Sequence, residues 1–197
     1  LNQEKAPITV QNFLQYADEG FYDGTIFHRV RKGFVVQGGG KDKDLKDKPT
    51  KAPIKNEWTT GLKHKVGTIA MAREKDKPDS ATSQFFINLV DNPTLEKPTF
   101  DQAGYTAFGM VLKGMEVVEK ISQVPVKLDQ SCDPQKPALP VEPIIINKAS
   151  RANASELANE IAAVRAKEAE EARKEAEAAK LKADTMKKEF DQGMEFV

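Results

Sequence analysis

Cysteine and histidine are scarce in this chain of 197 residues, and their scarcity excludes several kinds of site. The one cysteine, Cys132, cannot form a disulfide within the chain and cannot by itself supply a cysteine-based zinc site. The two histidines, His28 and His64, are too few for a histidine-rich metal site. Neither the phosphate-binding P-loop signature nor the zinc-protease signature H-E-x-x-H occurs. We therefore expect no metal and no cofactor.

Net charge and long apolar runs are also missing. Lys+Arg and Asp+Glu both number 30, so the chain as a whole lacks the basic footprint of a nucleic-acid-binding protein. No run of 18 apolar residues is present, and no basic segment followed by an apolar stretch opens the chain as a signal peptide would. We expect a soluble protein that binds neither nucleic acid nor a membrane.

Proline disappears after Ser150, which divides the chain into two parts. All 11 prolines and 11 of the 12 glycines come before this point, whereas residues 150–197 contain 12 alanines and 20 charged residues. We predict a domain over residues 1–149 and, in 150–197, a long charged helix from about Asn153 to Gln192. Its apolar residues recur mostly every three or four positions. This favours either pairing with another helix, in the same chain or in a second copy as in a coiled coil, or a solitary solvated helix supported by ion pairs.

Residues 1–149 are predicted to be mainly β, with two short helices. Apolar residues at helical spacing predict the helices at Pro7–Ala17 and Gly114–Ile121. Short β-branched or aromatic runs bounded by turn residues predict strands at Gly33–Gln37, Gly67–Ala72, Gln84–Leu89, Thr106–Leu112 and Val141–Asn147. Many strands with two short helices favour a β-barrel or a β-sandwich.

Three segments combine strand-forming residues with polar and aromatic side chains: Phe27–Gly39, Gly67–Arg73 and Asp79–Ile87. They resemble the cyclophilin family of peptidyl-prolyl cis/trans isomerases, of the bacterial type. The first matches the pattern F-H-R-V-x-x-G-F-x-x-Q-G-G at every fixed position, and the others match the strands G-T-x-x-M-A and S-Q-F-F-I. The resemblance extends from about Leu1 to about Lys148.

The resemblance implies an eight-stranded β-barrel and an isomerase of X–Pro bonds in unfolded or flexible polypeptides. Its partners would be proline-containing polypeptides, and its compartment the bacterial cytoplasm or periplasm. The similarity begins at the end of the family's second strand. We therefore expect that residues precede Leu1, or that another segment takes the place of the first strand. An alternative function is a proline-binding or chaperone module with weak turnover.

The resemblance also implies a set of site residues. The family's catalytic arginine falls on Arg29, and His28 matches a position beside the site. Substrate-binding positions fall on Phe34, Val35, Gln37, Ala72, Arg73, Gln84, Phe86, Leu95 and Tyr105. The residues alone favour a different interpretation, in which Arg29 is a surface ion-pair partner and the apolar members belong to the core.

Two details of this set are unusual. Phe34 and Gln37 lie three residues apart, which places them on opposite faces of a regular strand, so both serve one site only if the chain bends near Gly33 or Gly38. Val35 stands where a methionine is usual, and Thr94 stands where eukaryotic members carry tryptophan. Because an aromatic ring is missing from the rim, we expect weak binding of cyclosporin, the family's macrocyclic inhibitor.

Overall fold

The computed structural model describes residues 1–98, 103–129, 137–152, 155 and 158–194. Cys132 and the predicted helix start at Asn153 lie outside these ranges. The chain separates into two compact units, Leu1–Arg151 and Ala152–Val197. The second unit contains a 37-residue helix, Ala158–Met194, which runs past the predicted end at Gln192. In the described part of the chain, no helix is both long and apolar enough to cross a membrane.

The two helices of the first unit, α1 (Pro7–Asp18) and α2 (Met115–Ser122), begin and end within one residue of the predicted positions. Proline at the first position of α1 costs no hydrogen bond, because the N–H groups of a first helical turn have no partner within the helix. The carboxylate of Glu57 accepts hydrogen bonds from the backbone N–H of Thr9 at 2.8 Å and of Ile8 at 3.2 Å. A negative group therefore stabilises the positive end of α1.

Among the described residues, seven strands form two antiparallel sheets. They are β1 (Arg29–Arg31), β2 (Val35–Gly38), β3 (Thr68–Met71), β4 (Phe85–Asn88), β5 (Ala107–Met110), β6 (Val126–Lys127) and β7 (Leu139–Pro140). The first five make one sheet in the order β1-β2-β4-β3-β5, and β6 pairs with β7.

The described strands thus form an open sheet and a small second sheet, not the eight-stranded barrel that the resemblance implies. The prediction of a strand at Val141–Asn147 was wrong. Pro143 has no N–H to give to a ladder, and the segment contains an isolated bridge between Ile145 and Ile26. Backbone hydrogen bonds from Phe27 N–H to the Ile144 carbonyl and from Ile146 N–H to the Thr25 carbonyl flank this bridge. Hydrogen bonds extend both edges of the larger sheet, from Asn2 N–H to the Phe108 carbonyl and from Val30 N–H to the Ala138 carbonyl.

The larger sheet has two faces with different roles. We call the face that both helices cover the inner face. Its core contains Val30, Val36 and Ile87 against Val118 of α2, and Met71, Phe85 and Phe108 against Val10 and Tyr16 of α1. Because side chains alternate along a strand, the neighbouring residues Arg29, Gln37, Phe86, Ala70 and Ala107 lie on the opposite, outer face.

Candidate active site

One row of residues crosses the outer face. Strand register places Arg29 opposite Gln37 and Gln37 opposite Phe86. Phe86 is in turn opposite Ala70, which is opposite Ala107. Residues directly opposite each other in antiparallel strands project from the same face and contact one another. The row therefore passes from a cation, through an amide, to an aromatic ring and two small side chains.

The polar end of this row is a chain of hydrogen bonds. Arg29 Nη1 donates to Gln37 Oε1 at 3.2 Å, and Gln37 Nε2 donates to Gln84 Oε1 at 3.0 Å. Gln84 lies close against Gly40, where an added Cβ would lie 2.4 Å from Gln84 Cγ. A side chain at position 40 would displace Gln84, so the glycine run of this segment serves close packing.

The apolar end is a cluster around Phe86 and Leu95, which are 5% and 7% exposed. Val35, Ala70 and Ala107 complete its buried part, and partly buried Phe34, Leu62, Ala72 and Tyr105 pack against it. Phe34 reaches this cluster because it precedes β2, in the turn made by Gly33 with φ +70°. The structure therefore contains the bend that Phe34 and Gln37 require to serve one site.

The side chain of Arg73 packs against the aromatic part of the cluster. Its guanidinium carbon lies 4.5 Å from the Tyr105 ring centroid, and Nη2 donates to the Ala103 carbonyl at 2.5 Å. The Tyr105 ring meets Phe86 edge-on, with centroids 5.8 Å apart and an interplanar angle of 78°. Arg73 thereby holds one aromatic wall of the cluster.

Thr94 and His28 lie next to site residues in the sequence, but Thr94 is exposed and His28 is buried. Thr94 is exposed in a 3₁₀ helix, Pro93–Glu96, beside the buried Leu95. His28, only 3% exposed, precedes Arg29. Burial lowers the pKa of His28 to about 4, with smaller contributions from the positive charges of Lys41 and Arg29. His28 is therefore neutral at neutral pH and adds no charge beside Arg29.

Sequence reasoning missed three residues that lie against the apolar cluster: His64, Asn88 and Asn92. The His64 ring is 1% exposed and stacks on Phe86, with centroids 5.9 Å apart and an interplanar angle of 19°. Asn88 hydrogen-bonds His64 and Asn92, and both asparagines are buried. No local signal marks His64, because its contacts are with residues 22 to 41 positions further along the chain.

One cavity of the first unit lies away from these residues. A surface cavity of about 370 Å³ beside α1 contains the ion pair between Asp18 and Arg151, at 2.6 Å, and none of the residues above. Among the described residues, no group of three His, Cys, Asp or Glu side chains is arranged to hold a metal ion.

On the outer face, a chain of hydrogen-bonding side chains therefore lies directly beside an apolar cluster. The family model described as cyclophilin type peptidyl-prolyl cis-trans isomerase/CLD matches residues 1–150, and the chain belongs to this family. It is 52% identical over 149 residues to the peptidyl-prolyl cis-trans isomerase A of Dickeya dadantii, covering 76% of this chain and 75% of that protein. It is 54% identical over 123 residues to the isomerase B of Escherichia coli, covering 61% and 74%.

A solved structure adds a likeness of fold. The cyclophilin-type isomerase of Cryptosporidium parvum, crystallised in the presence of the dipeptide Ala-Pro, superposes with a TM-score of 0.60 at 27% identity. The match covers 77% of this chain and 89% of that one.

Proposed function

We propose that this protein accelerates cis/trans rotation of X–Pro bonds in unfolded or flexible polypeptides, with Arg29 as the catalytic residue. The observation that carries the proposal is the cross-strand row that places the Arg29 guanidinium and two glutamines beside the apolar cluster around Phe86. Family membership and the names of the bacterial relatives support the same reaction.

The chemistry of the reaction requires both a hydrogen-bond donor and an apolar pocket. Partial double-bond character of the amide C–N bond sets a rotation barrier of about 18–20 kcal/mol. In the twisted transition state this resonance is lost, and the proline nitrogen regains a lone pair that can accept a hydrogen bond. A preorganised donor that meets this lone pair binds the transition state better than the ground state, and no nucleophile is needed.

In this proposal, the apolar cluster and the hydrogen-bonding side chains have different roles. The ring of the substrate proline binds to Phe34, Phe86 and Leu95, with Val35, Ala72, Arg73 and Tyr105 around them. Gln37 holds the guanidinium of Arg29, and Gln84 binds the substrate backbone. Arginine stays protonated, so Arg29 donates a hydrogen bond without transferring a proton.

The test is the isomerisation rate of a short proline-containing peptide, whose uncatalysed relaxation takes about 10–100 s at 25 °C. Acceleration that is proportional to enzyme concentration supports the proposal. A second candidate is a module that holds proline segments with little turnover, which the short Val35 and the exposed Thr94 favour. Tight peptide binding without acceleration would support that module.

We propose the family's eight-stranded barrel for residues 1–149 and a separate helical arm for residues 150–197. The division of the chain after Arg151 supports the boundary. The hydrogen bonds that extend both edges of the larger sheet, at Asn2 and Val30, support the barrel.

The arm is proposed to pair with the arm of a second copy. The apolar residues of this segment recur mostly every three or four positions, and one of them, Leu181, is 68% exposed on the 37-residue helix. A second helix would cover this stripe. Sedimentation of the chain with and without residues 150–197 tests this, and monomers in both cases would contradict it.

A further inference from the structure

The imidazole of His64 lies directly behind the proposed proline site. It stacks on the face of Phe86, and Tyr105 meets the same Phe86 ring edge-on. The histidine is 1% exposed, so it cannot itself touch a substrate on the surface. It can affect the position of the Phe86 ring, which is the group proposed to contact the substrate.

Both ring nitrogens of His64 have a defined partner. Nε2 lies 3.0 Å from the carbonyl oxygen of Tyr105, which can only accept, so Nε2 carries the proton. Nδ1 lies 3.2 Å from Asn88 Nδ2. The Asn88 Oδ1 accepts from Asn92 Nδ2 at 2.7 Å, so the amide group of Asn88 is oriented with its donor towards His64. Nδ1 is therefore an acceptor, and the imidazole is neutral.

The same network reaches the other members of the apolar cluster. Asn92 Nδ2 also donates to the Phe34 carbonyl at 3.3 Å, and the Asn92 carbonyl accepts from the Leu95 N–H at 3.0 Å. The backbone N–H of Asn92 donates to the His64 carbonyl at 2.7 Å. His64 is thus linked by contact or through one or two asparagines to Phe34, Phe86, Leu95 and Tyr105.

We propose that His64 is a positioning residue for the proline site, whose neutral imidazole fixes the Phe86 ring and the Tyr105 backbone, and that protonation of Nδ1 loosens both. This inference rests on the proposed isomerase function. A proton on Nδ1 would point at the amide N–H of Asn88, so two donors would face each other and one hydrogen bond would be lost. The stacked ring would then be free to shift.

The surroundings of His64 favour the neutral form. Burial lowers the pKa of His64, while the hydrogen bond to Tyr105 and the charge of Glu96 oppose this in part. The Glu96 carboxylate accepts from the backbone N–H of His64 at 3.0 Å and pairs with Lys63 Nζ at 3.2 Å. On the Tyr105 side, the charged group is the Arg73 guanidinium over the ring. Loosening is therefore expected in the acid range, below the ordinary histidine pKa of about 6.5.

Two substitutions separate the roles of the ring. His64→Gln keeps a planar polar group that does not titrate, and His64→Phe keeps the stacking but neither hydrogen bond. For both variants we expect KM for a proline peptide to rise about two- to tenfold with kcat nearly unchanged, the scale expected for a displaced aromatic contact. The KM of the unmodified protein should rise between pH 7.5 and 5, whereas the KM of His64→Gln should not change over this range.

A destabilised variant of the inner face is the matched control. Val36→Ala removes a fully buried side chain that belongs to no part of the site, so it should lower thermal stability without moving KM or its pH dependence. If the His64 variants share the KM and pH profile of the Val36→Ala control, His64 is only structural and the inference is wrong. An unmodified protein that shows no isomerase activity at all would refute the proposed function instead.

A measurement on the unmodified protein covers the case in which the variants do not fold. The imidazole carbon-bound proton signals of His28 and His64 and the aromatic signals of Phe86 can be followed by NMR from pH 7.5 to 5, with peptide Kd measured by calorimetry at each pH. A rise in Kd that parallels the shift of the Phe86 signals supports the inference. Constant Kd through the titration of His64 would overturn it.

Discussion

The two faces of the five-stranded sheet use the same strands for opposite purposes. The inner face pairs aliphatic and aromatic residues such as Val36, Ile87 and Phe108 with two helices that exclude water. The outer face has one row that changes from Arg29 to Phe86 within three strands. The inner face stabilises the fold by close packing of apolar side chains. The outer face instead keeps hydrogen-bond donors and aromatic rings in fixed positions. Substitutions on the inner face should therefore lower stability, and substitutions on the outer face should lower activity.

The largest effect is expected on the inner face. Phe108 is fully buried and lies 5.2 Å, centroid to centroid, from Phe13 of α1. Phe108→Ala should lower the free energy of unfolding by about 3–5 kcal/mol, because it removes buried area and leaves a cavity. Denaturant unfolding measures the loss. If the folded fraction of this variant has a reduced kcat/KM, the two faces are not separable as we describe.

Arg29→Ala on the outer face should lower activity and leave stability unchanged. We expect kcat/KM to fall on the order of 10²–10³, the usual cost of losing one preorganised donor, with thermal stability unchanged. Arg29→Lys should also be impaired, because an ammonium does not reproduce the planar fork of a guanidinium. The measurement is peptide isomerisation alongside a melting curve, and Arg31→Ala on the same strand is the matched control. Near-normal turnover in Arg29→Ala would contradict the proposal that Arg29 is the catalytic hydrogen-bond donor.

The buried His28, which precedes β1, makes the stability of this region depend on pH. Its pKa in the folded state is lowered to about 4 by burial, whereas the unfolded chain binds a proton near pH 6.5. Stability from this residue is thus complete above about pH 6.5 and decreases as pH falls towards 4, by roughly 3 kcal/mol in total. The thermal midpoint of the unmodified protein should drop more between pH 7 and 4.5 than that of His28→Gln. Equal drops in the two proteins would contradict a buried neutral His28.

The smallest effect concerns the rim of the outer face. Thr94 is exposed beside Leu95, where a tryptophan would add apolar area. Thr94→Trp should tighten cyclosporin binding by about 1–3 kcal/mol, measured by titration calorimetry. Because Thr94 is exposed, its replacement disturbs no buried contact, and no change in the melting temperature is expected. Nanomolar binding by the unmodified chain would show that Thr94 does not limit affinity.

The sequence predicted what depends on local pattern. Periodicity and turn residues predict the helices α1 and α2 and four of the strands. The motifs name Arg29, Gln37 and Phe86 of the outer row as site residues, but they do not name Ala70 or Ala107. The short strand β1 was missed, because Arg29–Arg31 is three residues long and reads as part of a motif. Phe34 showed a conflict between strand periodicity and motif, and only the turn at Gly33 resolves it.

Contacts between distant segments escaped prediction for a physical reason. The stacking of His64 on Phe86 and the capping of α1 by Glu57 join residues 22 and 48 or more positions apart. Neither residue lies on an apolar stripe or carries a spacing that marks its partner. Such contacts depend on how the loops cross the sheet, which no local pattern encodes.

The hydrogen-bond chain on the outer face also has a direction. A guanidinium has donors and no acceptor, so the Gln37 amide must turn its oxygen to Arg29, and its nitrogen is left to meet the oxygen of Gln84. The amide nitrogen of Gln84 is then the group left to offer donors, which suits a carbonyl of a bound peptide. Gln37→Glu would break this order, because a carboxylate has no donor for the Gln84 oxygen. The Gln84 amide would have to turn over and present an oxygen to that carbonyl, so a change at Gln37 would reverse the polarity of the group that the neighbouring Gln84 presents to the peptide.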